Sequence, residues 1–389
     1  NIMLDFNLSD EQLMLVEMTR NFVEKDMMPH EGILETKGIL PSDLAVVLKK
    51  KSIELGLHAC NLPEEVGGGG LDAVSVMLIE KELGRTSLAL AECAHRPLNI
   101  LSACQGKQAT EFLEPTVKGE KRDCIAMTEP DAGLDLRGMK CKAVRDKDNW
   151  LINGVKHFIS QASVSDYCVL FAATGEEETS KGMKKRISAF LVDFSDSGVE
   201  VAKGYKNVSH RGYTNNILNF NNVRIPEWRM LGTEGQGFQL INEWLGPTRL
   251  TVAATSVSRA ERAFDTALKY ASTREQFGQK IGKFQGVSFP LADMSMEIRL
   301  AKLLLMETAW KIDQGTVTPE DCAMAKLYCT EMLARIADQA IQTVGGMGLM
   351  EDLPLERIWR DSRVERIWDG TSEIQRHIIS RALLRPLGA

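Results

Sequence analysis

The chain has 389 residues, a length at which one hydrophobic core stops growing and two or three packed units are expected. A hydrophobic fraction of 44% and a charged fraction of 26% exclude a disordered chain. A net charge of -6, with only short basic clusters at 49–51 and 184–186, argues against a nucleic-acid-binding face, and no apolar run reaches the roughly 18–20 residues of a transmembrane segment.

Taken in chain order, the segment from Ser9 to about Arg122 reads as mainly helical, with Ser9-Asp10-Glu11-Gln12 as a helix start. The run Pro63 to Gly70 interrupts it. No Lys-Ser/Thr follows those glycines, so a plain loop is expected rather than a phosphate cradle. After Asp123 the texture changes. Asn153-Gly154 stands between two apolar-rich runs and predicts a hairpin turn, and residues 167–173, 187–194 and 216–220 are further strand candidates. An antiparallel β domain is the expectation.

Beyond Gly235-Gln236-Gly237 the period becomes helical. Val287, Leu291, Met294, Ile298, Ala301 and Leu305 recur at steps of four and three, as do Ala323, Leu327, Thr330, Ala334, Ala337, Ile341 and Val344. Such stripes predict a helical bundle. The expected layout is α+β: a helical domain over 1–122, a β domain over 123–235 and a helical bundle over 236–389. The eight cysteines show no CxxC spacing, so neither a zinc site nor a disulfide framework is expected, and an intracellular, reducing compartment is.

Three stretches could carry chemistry. Residues 126–138 form a Pro/Gly-bent loop whose backbone amides could face an electron-rich ring, or which could be a tight interdomain turn. Gln342-Thr343-Val344-Gly345-Gly346-Met347-Gly348 ends a helix, and its glycines could form a left-handed cap or admit a ligand to the backbone. In Trp368-Asp369-Gly370-Thr371-Ser372-Glu373, Thr371 or Ser372 suits a helix N-cap. A tryptophan beside Asp369 would exclude water and raise the carboxyl's pKa, making it a usable base.

In this order and setting the three stretches resemble the acyl-CoA dehydrogenase superfamily over almost the whole chain, with Leu134 where the family usually carries Ser or Thr. The resemblance implies that family's fold, with a C-terminal four-helix bundle, and FAD as cofactor. It implies that Ile125, Met127, Thr128, Gly133 and Leu134 line the flavin, with Phe158 and Ser160 in place of the usual Trp and Thr. Arg274, Phe277 and Gln285 would reach the FAD of a neighbouring subunit, approached also by Gln342, Gly345 and Gly346, while Thr371 and Glu373 hold the FAD of their own site. Leu134, Thr248, Arg249, Trp368 and Gly370 would contact the acyl-CoA thioester.

The base follows from a comparison within the resemblance. In some branches a glutamate precedes the arginine that resembles Arg249, but here that position is Thr248, which cannot take a proton at neutral pH. Asp369 then stands where most relatives carry Glu. The implied reaction is α-proton abstraction by Asp369 with hydride transfer to flavin N5, the thioester carbonyl being polarised by the Asp369 N–H and a ribityl hydroxyl. Partners implied are an electron-transfer flavoprotein and three further copies in a dimer-of-dimers homotetramer. The compartment implied is the cytoplasm of a bacterium, or the mitochondrial matrix or peroxisome of a eukaryote. Competing readings are a same-fold oxidase, acting on acyl-CoA or nitroalkanes, and a catalytically silent assembly protein. Glu92 and His95 are expected to be satisfied core or solvated groups, and Arg211-Gly212 to be a structural turn.

Overall fold

The computed structural model describes residues 7–179 and 182–388. The first helix, α1 (Asp10–Phe22), opens as its sequence predicts: Ser9 Oγ accepts from the Gln12 N–H, and the Gln12 side chain accepts from the Ser9 N–H. Helices α2 (Glu31–Lys37), α3 (Ser42–Glu54), α4 (Ala73–Leu83), α5 (Leu88–Ala91) and α6 (Glu114–Val117) follow. The glycine run between α3 and α4 is a packed loop. A Cβ on Gly68 would lie 2.2 Å from the Leu62 carbonyl oxygen, and one on Gly69 would lie 2.8 Å from the Cys60 Cα, so close backbone approach accounts for these glycines.

The sheet contains β1 (Asp123–Ala126), β2 (Lys142–Asp146), β3 (Asn149–Ser160), β4 (Tyr167–Thr179), β5 (Gly182–Asp193), β6 (Val199–Lys203), β7 (Asn215–Pro226) and β8 (Met230–Leu231). Its order is β6-β7-β3-β2-β4-β5-β8, with β1 beside β4. The expectation of an antiparallel domain needs correction at two pairings, because β1 and β2 each pair parallel with β4. The cause is topological. Strand β3 has β7 on its far side, so β4 docks beyond β2 and runs in the same direction.

The hairpin predicted at Asn153-Gly154 is also overturned, since both residues lie inside the continuous strand β3. The turn falls instead at Lys147-Asp148, with Lys147 at φ +54°. Gly154 marks a bulge, where the register against β7 shifts. It has φ +153°, and a Cβ there would sit 2.6 Å from the Cys141 Cα, so the glycine serves a close approach rather than a reversal.

The C-terminal bundle consists of α7 (Gly237–Thr273), α8 (Gln285–Asp313), α9 (Pro319–Val344), α10 (Leu355–Glu365) and α11 (Ser372–Leu384), with a small hairpin β9 (Glu275–Gln276) and β10 (Gln279–Lys280) between α7 and α8. The expected C-terminal helical bundle is present, built among the described residues from three long helices and two short ones, because the chain breaks after Val344 and again at Asp369-Gly370. Leu291, Met294, Ile298, Ala301 and Leu305 of α8 are buried as their spacing predicts. On α9, Ala323, Thr330, Ala337 and Val344 are buried while Leu327, Ala334 and Ile341 are half-buried. The buried face is wider than the stripe and includes Lys326. Gly345 has φ +72° and ψ −143°, outside the left-handed helical well, and a 3-10 turn follows it. Among the described residues no helix is long and apolar enough to cross a membrane, and no cluster of acidic, His and Cys side chains could hold a metal.

Candidate active site

The segment Trp368-Asp369-Gly370 joins α10 to α11 in a conformation that needs support. Asp369 has φ +53° and Gly370 φ +93°. A non-glycine residue in the left-handed region costs about 1–2 kcal/mol, and such strain concentrates at functional sites. Three consecutive carbonyls here receive side-chain donors from three helices. Lys326 Nζ, on α9, donates to the Trp368 oxygen at 2.7 Å and to the Gly370 oxygen at 2.7 Å. Gln375 Nε2, on α11, donates to Gly370 at 2.8 Å, and Arg249 Nε, on α7, lies 3.4 Å from the Asp369 oxygen.

The electrostatics suit a base. Burial, with Glu365 adding to it, pushes the Asp369 carboxyl up to about 6, against the opposing pull of Lys326 and Arg249. Burial likewise pushes the Lys326 ammonium down to about 8, with Asp369 resisting. Near neutral pH, Asp369 is therefore ionised yet retains proton affinity, and Lys326 remains a cation. Trp368 is fixed on both sides: its Nε1–H donates to Glu365 at 2.9 Å, and its ring stacks on His210 with centroids 5.2 Å apart and planes 5° from parallel.

His210 is part of a network that the sequence reading missed. Its Nε2 lies 2.7 Å from Glu365, whose carboxylate also takes Arg259 at 2.6 Å, and the His210 backbone N–H donates to Asp361 at 2.6 Å. His210 and its acidic partners belong to segments far apart in the chain, so no local spacing announces the pairing. Burial lowers the His210 pKa, but Asp361 and Glu365 together raise it above its ordinary value.

On the sheet side, a buried ion pair shapes the loop that holds Thr128. Lys156 Nζ donates to the Met127 oxygen and to Glu129 Oε1, each at 2.8 Å, and Glu129 accepts from the Cys141 N–H at 3.0 Å. The Thr128 oxygen accepts from the His157 N–H at 3.0 Å, which sets the exposed ring of Phe158 next to the loop. Phe158 has φ +54°, another strained non-glycine residue. Ser160 ends β3, and Tyr213 meets Trp368 edge-on at 6.2 Å, so the β domain and the Asp369 segment are in contact.

Several features fit a flavin. The Thr128 N–H and hydroxyl find no acceptor among the described residues. Phe158 offers an exposed aromatic face, and a Cβ on Gly133 would meet open space. Ile125 lies in β1, and Leu134 is exposed in the loop that follows.

Other expected site residues are not brought to Asp369 within one chain. Arg274 ends α7, Phe277 tips the β9–β10 hairpin and Gln285 opens α8. At 1.5 Å per residue, Arg274 lies about 37 Å along α7 from Arg249, and Gln342 about 24 Å along α9 from Lys326. Phe277 is 93% exposed, and Gly345 and Gly346 border open space. Thr371 caps α11, accepting from the Ile374 N–H at 3.3 Å, and Glu373 beside it is exposed. Thr248 Oγ1 donates back to the Trp244 oxygen at 2.8 Å. Glu92 pairs with Arg96 and Arg122, and His95 lies 2.5 Å from Asp123, so both have core partners.

Comparison with known proteins identifies the arrangement. Three family models cover the chain: the acyl-CoA dehydrogenase N-terminal domain over 9–120, middle domain over 124–223 and C-terminal domain over 235–384. A probable acyl-CoA dehydrogenase of Bacillus subtilis is 36% identical, over 98% of this chain and 100% of that protein. The butyryl-CoA dehydrogenase structure from Megasphaera elsdenii superposes with a TM-score of 0.89 at 32% identity, covering 98% of this chain and 100% of that one. A chain of a solved structure described as an electron transferring flavoprotein of Acidaminococcus fermentans, concerned with flavin-based electron bifurcation, matches with a TM-score of 0.88 at 31% identity, covering 98% and 100%. The chain belongs to the acyl-CoA dehydrogenase family of FAD-dependent oxidoreductases.

Proposed function

We propose that the chain converts an acyl-CoA thioester to its 2-enoyl-CoA, with Asp369 as the base that takes the α-proton. The observation that carries this reading is the Asp369 carboxyl, raised to about 6 and held in a left-handed backbone turn by side chains of three helices. FAD, when bound, supplies the acceptor for the β-hydride. Met127, Thr128, Gly133, Phe158 and Ser160 hold its ring, and the Asp369 N–H polarises the thioester carbonyl so that the α-proton becomes acidic enough to leave. Trp368, Gly370 and Arg249 frame the acyl thioester around that carboxylate.

The residues at the far end of the bundle support a shared site. Arg274, Phe277, Gln285, Gln342, Gly345 and Gly346 complete the FAD site of a second copy, within a homotetramer divided into domains at 1–122, 123–235 and 236–389. The exposed Phe277, Met347 and Leu349 are apolar surface that such an assembly covers. An electron-transfer flavoprotein is the partner that reoxidises the enzyme.

The test is anaerobic. Asp369→Asn should purify yellow and bind acyl-CoA, while bleaching of the flavin slows about 10²-fold or more. Bleaching at the wild-type rate removes Asp369 from the reaction.

A further inference from the structure

Resting on that reading of Asp369, we infer that Lys326 is a positioning residue for the same reaction: by holding the Trp368 carbonyl it aims the Asp369 N–H, the other end of that peptide, at the thioester carbonyl.

Lys326 is fully buried, and its two hydrogen bonds go to backbone carbonyls, one on each side of Asp369, rather than to a carboxylate. A buried ammonium is heavily penalised, so its placement on two carbonyls of one turn calls for a reason beyond packing. The geometry supplies one. No cis peptide occurs among the described residues, and in a planar trans peptide the C=O and N–H point in opposite directions. With the Trp368 oxygen turned onto Lys326, the Asp369 N–H must face away from α9.

That N–H has no acceptor among the described residues, although the preceding one, on Trp368, is bonded to the Val364 oxygen. It is a free donor at the base of the reaction site. The ammonium also acts on its strength: a cation bonded to the oxygen of a peptide draws electron density from the nitrogen and makes its N–H a better donor. Gln375 on the Gly370 carbonyl and Arg249 near the Asp369 carbonyl keep the following peptides from relaxing, so the left-handed turn stays fixed when substrate pulls on it. Lys326 thus serves the carbonyl end of the substrate, whereas the Asp369 side chain serves the α-carbon.

The experiment uses the FAD-loaded enzyme with crotonyl-CoA carrying 13C at the thioester carbonyl, and S-butyl-CoA, which lacks that carbonyl. In the wild type the carbonyl band of bound crotonyl-CoA should move to lower frequency in difference Raman or infrared spectra. Lys326→Met should keep FAD and keep its affinity for S-butyl-CoA, but lose most of that band shift and about 10²-fold in turnover. Lys326→Arg, which preserves a cationic donor, should restore part of both. If Lys326→Met does not fold, Lys326→Gln gives the same reading, because a neutral amide polarises the peptide less. An unchanged band shift in a folded variant, or equal weakening toward both ligands, overturns the inference and leaves Lys326 as packing alone. Asp369→Asn separates this from the base assignment, because it retains the N–H and should retain the band shift while losing proton abstraction.

Discussion

At the scale of single residues, Asp369 as the proposed base sets the expected pH behaviour. Its carboxyl is raised to about 6, so kcat/KM should fall as the pH drops through that value and the base becomes protonated; a profile flat from pH 8 to pH 5 would contradict it. The same shift has the opposite sign for stability. A carboxyl that binds its proton more tightly in the folded than in the unfolded protein favours folding at low pH, and that advantage is lost as the pH rises through about 6. Asp369→Asn should therefore melt at a higher temperature than the wild type at pH 8, with the difference vanishing near pH 4. Asp369 was singled out in the sequence because a helix cap accounts for Thr371 and Ser372 but not for Trp368 beside the acid, and because the family resemblance puts a carboxylate there. Lys326 was not, since lysine is ordinarily a surface residue. Its position held a clue: it lies three residues after Ala323 and four before Thr330, on the face of α9 that the apolar stripe already marked.

At the scale of elements, a few buried contacts set how helices and strands meet. Glu31 on α2 takes Arg262 of α7 and Arg357 of α10, each at 2.7 Å, and accepts from the Thr86 hydroxyl at 2.9 Å. Burial pushes this carboxyl up, yet the two arginines hold it below its ordinary value. Its stabilisation is thus present above the ordinary carboxylate range and lost as the pH falls through the lowered value. Glu31→Gln should cost about 3 kcal/mol at pH 7 in denaturant unfolding, with the gap to the wild type closing in acid. In the sheet, Gly154→Val should destabilise by about 2 kcal/mol, because its side chain would meet the Cys141 backbone; a neutral result would mean that the bulge relaxes freely. Strand existence was legible from short apolar-rich runs between turn residues. The bulge at Asn153-Gly154 was not, since the same dipeptide makes a turn or a bulge depending on whether β7 lies alongside, and that partner is remote in sequence.

At the scale of the whole molecule, the succession of helices, strands and bundle followed from changes of period in the sequence. The spread of the proposed cofactor residues over both ends of the bundle was not visible in any spacing. It follows from the length of α7 and α9, which carries Arg274 and Gln342 far from the Asp369 turn. Phe277→Ser should lower FAD retention on dilution and shift the sedimentation profile toward smaller species, while the stability of the isolated fold stays close to that of the wild type.

On the proposed sharing of each FAD site between two copies, the separation of Arg249 from Arg274 along α7 predicts a genetic counterpart. A chain carrying Asp369→Asn and a chain carrying Phe277→Ser should each be defective, but at opposite poles. Refolded together, they should form hybrids in which one pole of each partner is intact and faces the other, so that a native pair of surfaces is rebuilt. Two silent alleles would then complement each other between subunits, and a doubly substituted chain mixed with either would not rescue it.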